Sequence, residues 1–186
     1  MLNAKVIDSF ISQEDCSYLI DAAIKSELWE SGGSEFWDNR VINYNRMLKF
    51  DRDAAVILLD ANIRCGQKIQ ELFDIDKVYS DTLQIVRWFP GMEQPPHADD
   101  MSNTDIQGFD HRAFGSIIYL NNNYSGGHTY YPNFDFEVVP KAGSLAIHPG
   151  DPEHLHGVTK IEDGIRYTIA SFWTLDKGRG HDWAIH

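Results

Sequence analysis

Apolar residues recur at helical spacing only near the start of the chain. Cys16, Leu19, Ile20, Ala23, Ile24 and Leu28 fall on one stripe. The SQED that opens at Ser12 has the shape of a capping box, with Asp15 at the third helical position. SGGS at 31–34 stops this helix. A second stripe runs from about Asp53 to Phe73 and puts Val56, Leu59, Ile63 and Ile69 inward. The first third therefore reads as helical. From Val78 onward the pattern breaks into short β-rich runs. TLQIVRWF ends at Pro90-Gly91, FGSIIYL at NNNYSGG, FEVV at Pro140 and GSLAIH at PGDP. HGVTKI and RYTIASFW flank Glu162-Asp163-Gly164, a turn that predicts a hairpin. Several short strands after two helices predict an α+β, mainly β fold: a jelly-roll or cupin-like double sheet with the helices packed outside. The stretch DDMSNTDIQGFDHRAF (99–114) is long for a connection, which predicts a lid or binding loop.

Composition narrows the partners. The 186 residues make one domain's worth of chain, able to bury roughly 70% of its unfolded surface. A hydrophobic share of 42% argues against dominant disorder. Sixteen Lys and Arg against 28 Asp and Glu give a net charge of −12, which disfavours nucleic acid as a partner. A single arginine can still hold a small anion, because screening confines distant carboxylates to about 8 Å. Two cysteines, Cys16 and Cys65, are too few for a disulfide framework. MLNAKVIDSF lacks a signal-peptide core, and no run approaches the ~18 apolar residues of a membrane span. These features predict a cytoplasmic protein without a membrane partner, monomeric or homodimeric.

Chemistry enters at His97-Ala98-Asp99. On an extended segment residues i and i+2 share a face, so His97 and Asp99 can grip one metal while Asp100 points away. By itself such a pair arises readily by chance. A histidine from a later strand would complete two histidines and a carboxylate, the donor set of non-haem Fe(II) sites with open positions. His154 and His156 both qualify, and side-chain parity cannot separate them. Arg166 opens the strand RYTIASFW with Thr168 on its face. Its guanidinium can hold a carboxylate through two parallel hydrogen bonds.

Taken in order, LQIVRWFPG, PPHAD, SIIYLN, GGHTYYP, GSLAIH and HGVTKIEDGIRYTIASFW resemble the Fe(II)/2-oxoglutarate-dependent dioxygenases, in their prolyl-4-hydroxylase-like branch. The resemblance covers roughly residues 80–175, and FISQEDCSYLI looks like the family's lead-in helix. It implies one dioxygenase domain over 1–186, with a helical part to about residue 77 and a double-stranded β-helix core over about 78–175. It implies that His97, Asp99 and His156 bind Fe(II), since Val158 and Arg166 follow His156 at the family's spacing and nothing equivalent follows His154. It further implies that Arg166 holds the distal carboxylate of 2-oxoglutarate, helped by Tyr119 and more weakly by Thr168. Facing sheets about 10 Å apart would let a five-carbon diacid span iron and arginine. The resemblance places Trp173 beside the metal histidine, and it needs no catalytic residue beyond the metal centre.

The implied reaction hydroxylates an unactivated C–H bond with O2 and 2-oxoglutarate, with ascorbate as a further cofactor. The first substrate is a prolyl residue of a peptide or protein; a free amino acid or other small metabolite is the alternative. Two rivals are a non-catalytic cupin-like metal-binding protein and a zinc hydrolase. Trp88, Phe89 and Gln94 stand where many relatives have tyrosines, which changes the pocket's hydrogen bonding. His128 stands where an acidic or other residue is more usual. His111, His128 and His148 read as solvent-exposed or internally satisfied. The segments 100–113 and SEFWDNR (34–40) are candidates to face substrate.

Overall fold

Residues 3–30, 34–100 and 109–183 are described by the computed structural model. Its helices start where side chains supply the missing backbone acceptors. Strand β1 (Lys5–Ile7) precedes helix α1 (Gln13–Ser26), whose Ser12 hydroxyl accepts from the Asp15 N–H. Strand β2 (Val41–Asn43) leads into α2 (Tyr44–Phe50), capped by Asn43. The Asp51 carboxylate then caps α3 (Arg52–Phe73). Such caps each contribute about 1 kcal/mol.

The rest is strand. The chain runs through β3 (Tyr79–Trp88), β4 (Gln94–His97), β5 (Arg112–Tyr119), β6 (Ser125–Gly126), β7 (Thr129–Tyr131) and β8 (Phe136–Val138). It finishes with β9 (Leu145–Pro149), β10 (His156–Val158), β11 (Ile161–Asp163) and β12 (Arg166–Thr174). A six-stranded sheet has the order β1-β9-β5-β12-β3-β2, and a four-stranded sheet the order β4-β10-β7-β8. All pairings are antiparallel, and β6 and β11 form a separate pair. Pro95 and Pro96 lack an N–H, which suits the edge position of β4. The architecture is mainly β with the helices on one face, and among the described residues no helix is long and apolar enough to cross a membrane.

Strand alternation divides the large sheet. Leu83, Ile85, Ile118, Ile147 and Ile169 join the helices in the main core. Thr82, Gln84, Val86, Trp88, Thr168, Ala170 and Phe172 face the other way, into a cavity of about 450 Å³. That side meets the small sheet, where Tyr119 of β5 bonds Thr129 of β7.

Four expectations need correction. The first third is not all helix: β1 and β2 extend both ends of the large sheet, and three-residue runs are too short to show a period. Val56 and Ile24 point outward, 63% and 51% exposed. In α3 the buried face belongs instead to Ala54, Ala55, Leu58, Ala61, Asn62, Cys65, Gly66 and Ile69, with Leu59 and Ile63 half-buried. Small residues win that face because the sheet comes close: a Cβ on Gly66 would stand 3.0 Å from the Trp173 ring. Trp173 therefore lies on the helix side of β12, donating to Ser116 Oγ at 2.9 Å, rather than beside the metal histidine. Finally, β10 and β12 form no hairpin. They belong to different sheets, and β11, paired with β6, carries the chain between them.

Candidate active site

Register brings the two histidines together. His97 of β4 is the direct cross-strand partner of His156 of β10, and their rings are 4.5 Å apart. Asp99, just past the end of β4, is 3% exposed and places Oδ1 3.5 Å from His156 Nε2 and 4.0 Å from His97 Nε2. Donors about 2.1 Å from one ion and at right angles stand ~3 Å apart, so a small contraction would close the set on a metal. Among the described residues these three form the group able to do so.

Tautomers favour the same use. His97 Nδ1 lies 3.1 Å from the Pro95 carbonyl and His156 Nδ1 3.2 Å from the His154 carbonyl. A carbonyl only accepts, so each Nδ1 carries the hydrogen and each Nε2 keeps its lone pair. Burial, with His148 and His97 nearby, lowers the His156 pKa to about 3 and keeps its ring neutral. Burial pushes the Asp99 carboxyl upward, but His156, the hydrogen bond from His148 and His97 outweigh it and hold it below the usual carboxylate range. A neutral imidazole and an ionised carboxylate are the forms that bind metal.

His154 does not come to this group. It sits in a short 3-10 turn, Pro152–His154, where Asp151 Oδ1 is 2.9 Å from Nδ1 and Nε2 accepts from the Asn3 N–H. The parity that equated it with His156 fails because the strand begins only at His156.

Across the cavity, Arg166 opens β12 on the large sheet. It is 1% exposed and, among the described residues, pairs with no carboxylate; Nη2 is 3.4 Å from Thr129 Oγ1 and Nε has no hydrogen-bond partner there. The Tyr124 hydroxyl is likewise enclosed and unpartnered. A Cβ on Gly127 would stand 3.0 Å from the Tyr124 ring and 3.1 Å from Arg166 Cδ, so that glycine lets the two side chains meet. Tyr119 directly faces Thr168 across the β5–β12 register, and its hydroxyl is 2.7 Å from Thr129 Oγ1. Burial raises both phenols, Tyr119 and Tyr124, and keeps them hydrogen-bond donors. A buried guanidinium without a counter-ion and an idle hydroxyl are costly features that an anion's carboxylate would satisfy.

Some of this was beyond sequence reasoning. Tyr124 and Thr129 carry no motif signal apart from their position around GGHTYYP. His148, read as an ordinary satisfied histidine, is buried and bonded to Asp99. His128 is held by Glu137 at 2.9 Å, partly exposed, and His111 lies 3.6 Å from Asp81. Trp88 and Gln94 line the cavity, with Gln94 Nε2 3.3 Å from His97 Nε2. Of the segments expected to face substrate, Trp37, Phe109 and Arg112 reach the cavity, and residues 101–108 lie outside the described part.

Comparison with known proteins gives the same direction. Residues 83–174 match the model of the 2OG-Fe(II) oxygenase superfamily. A candidate prolyl 4-hydroxylase of Acanthamoeba polyphaga mimivirus is 26% identical over 92% of this chain and 74% of its own length. One from Arabidopsis thaliana is 29% identical over 77% of this chain and 50% of its own length. The viral collagen prolyl hydroxylase of Paramecium bursaria Chlorella virus-1, solved as a 2OG complex, superposes with a TM-score of 0.70. It is 21% identical, and the match covers 94% of this chain and 97% of that one, a likeness of fold.

Proposed function

Because the chain belongs to the 2OG-Fe(II) oxygenase superfamily, we propose that it hydroxylates a prolyl residue of a peptide or protein, using Fe(II), 2-oxoglutarate and O2. The observation that carries this reading is the opposition across one cavity. His97, Asp99 and His156 stand on one side, and Arg166, buried with no carboxylate partner among the described residues, on the other. The two facing antiparallel sheets are read as a double-stranded β-helix.

In this reading His97 Nε2, Asp99 Oδ1 and His156 Nε2 would hold the iron, three donors being the set that suits Fe(II) with a co-substrate. Arg166 would hold the distal carboxylate of 2-oxoglutarate, for which a guanidinium offers two parallel N–H groups, and Tyr124 would add an O–H that has no hydrogen-bond partner among the described residues. Tyr119 orients Thr129 against the same guanidinium, and Thr168 lines the cavity beside it. When bound, iron and 2-oxoglutarate supply the oxidising chemistry, coupled to decarboxylation of the keto acid. The chain's own residues bind, orient and exclude water. Trp88, Val158 and Phe172 wall the cavity, while Trp37 and Phe109 offer apolar faces that suit a pyrrolidine ring.

The test is to incubate the Fe(II)-loaded protein with 2-oxoglutarate, O2 and a panel of proline-containing peptides. Succinate and a peptide heavier by one oxygen atom are expected. Succinate without peptide modification, together with oxidation of a free amino acid, would move the assignment to small-molecule hydroxylation. No succinate with any substrate would overturn it.

A further inference from the structure

Asp99 has a second neighbour that metal binding leaves unused. His148 Nε2 stands 3.0 Å from Asp99 Oδ2, and His148 Nδ1 is 2.9 Å from the Tyr131 hydroxyl. All three side chains are buried. A neutral imidazole allows the protons along this chain one arrangement. A carboxylate accepts only, so His148 Nε2 carries a hydrogen and donates it. Nδ1 is then bare and accepts from Tyr131. Burial, with Tyr119 and Asp99 near, raises the Tyr131 phenol far enough to keep it a donor.

An independent feature marks the same contact. His148 of β9 pairs with Gly115 of β5. A Cβ at position 115 would lie 2.1 Å from Asp99 Oδ2 and 2.4 Å from His148 Nε2. The hydrogen bond thus fills the space that any side chain at 115 would need. Asp99 follows a strand of the small sheet and His148 belongs to the large one, so the bond also ties the two sheets together at the carboxylate.

We propose that His148 is a positioning residue that makes Asp99 a one-oxygen donor: it occupies Oδ2 and turns Oδ1 alone toward the His97–His156 pair. This rests on the metal-centre reading above. Its consequence is a coordination number. A carboxylate that binds through both oxygens takes a second position on the ion. That would narrow the open face required by a chelating keto acid and oxygen. Such a rotation here would strand a buried N–H on His148, which opposes it.

Co(II) is a suitable probe, because its visible absorption reports coordination number. In His148→Phe, which keeps a ring and loses the donor, Co(II) affinity is expected to fall ~10–100-fold. The absorption spectrum is expected to change with it. His148→Gln, whose amide N–H can still reach Oδ2, is expected to recover much of both. Gly115→Ala is expected to reproduce the loss from the other strand. If the single Phe variant folds poorly, the double variant Tyr131→Phe/His148→Phe removes the stranded hydroxyl and carries the same prediction. Wild-type affinity and spectrum in either folded variant would overturn the proposal and leave His148 as packing. If the unaltered protein itself binds no Co(II), the metal-centre reading fails first, and this proposal with it.

Discussion

At His97 and His156, backbone carbonyls decide which nitrogen is available. Pro95 and His154 accept from Nδ1 and so expose Nε2. His154 has both nitrogens engaged elsewhere, with Asp151 and with the Asn3 N–H. His156→Ala is therefore expected to abolish specific Fe(II) or Co(II) binding, whereas His154→Ala keeps it. Metal titration of the two variants decides, and the opposite pattern would exclude this ligand set. Arg166 makes the companion case. Its charge is buried, and among the described residues the Nε and the Tyr124 hydroxyl have no hydrogen-bond partner, so a ligand carboxylate has charged hydrogen bonds to offer. Arg166→Ala is expected to weaken 2-oxoglutarate binding roughly 10- to 100-fold, the worth of such bonds, with metal affinity little changed. Arg166→Lys is not expected to rescue it, since an ammonium lacks the planar fork. Calorimetric titration of keto acid into the metal-loaded variants measures both.

Between residues and fold, the informative elements are the shortest ones. The turn Glu162-Asp163-Gly164 has the chemistry of a hairpin, yet β11 pairs with two-residue β6 and hands the chain from the small sheet to the large one. This crossing sets His156 and Arg166 on opposite walls of the cavity instead of side by side. Gly126 holds the crossing: its φ is +71°, and a Cβ there would stand 1.9 Å from the Lys160 carbonyl oxygen. Gly126→Ala is expected to cost about 1–3 kcal/mol of stability, from the left-handed strain and the clash. It is also expected to weaken 2-oxoglutarate binding more than metal binding, because β11 leads directly into Arg166. Denaturant unfolding and the same titrations check both parts. A variant as stable as the parent would show that the β6–β11 pair is incidental.

For the molecule as a whole, the site couples to stability through protons and metal. His156 titrates at about 3 in the folded protein and near ~6.5 when unfolded. The unfolded chain therefore binds the extra proton between those values. Stability of the metal-free protein is expected to be full above about pH 6.5 and to fall by up to ~1.4 kcal/mol per pH unit toward pH 3. Asp99, whose carboxyl is held below its usual range, adds a further loss as the pH drops below about 4. Denaturant midpoints between pH 8 and 4 test this, and a flat profile over that range would contradict it. Metal at a hundred times its dissociation constant is expected to add ~2.7 kcal/mol, and chelation to remove it. 2-Oxoglutarate is expected to stabilise further only when metal is present, because its anchors lie on both walls.

Much of this was legible along the chain because it is short-range. Capping by Ser12, the β-rich runs after Val78, the His-x-Asp pair and an arginine opening the last strand are local patterns of residues a few positions apart. They picked out His97, Asp99 and the arginine opposite them but left His154 and His156 unseparated; the family resemblance favoured His156, the histidine that the fold brings to the other two. The sheet assignment of each strand was not legible, because pairing joins segments far apart in sequence and its register depends on packing. For that reason only the tertiary structure set His97 beside His156, replaced the hairpin by a crossing, and turned Val56 outward in favour of a small-residue face. It also brought Tyr124 to Arg166 and His148 to Asp99. Neither contact has a spacing to betray it, since each is made across strands whose order is decided by the folded core.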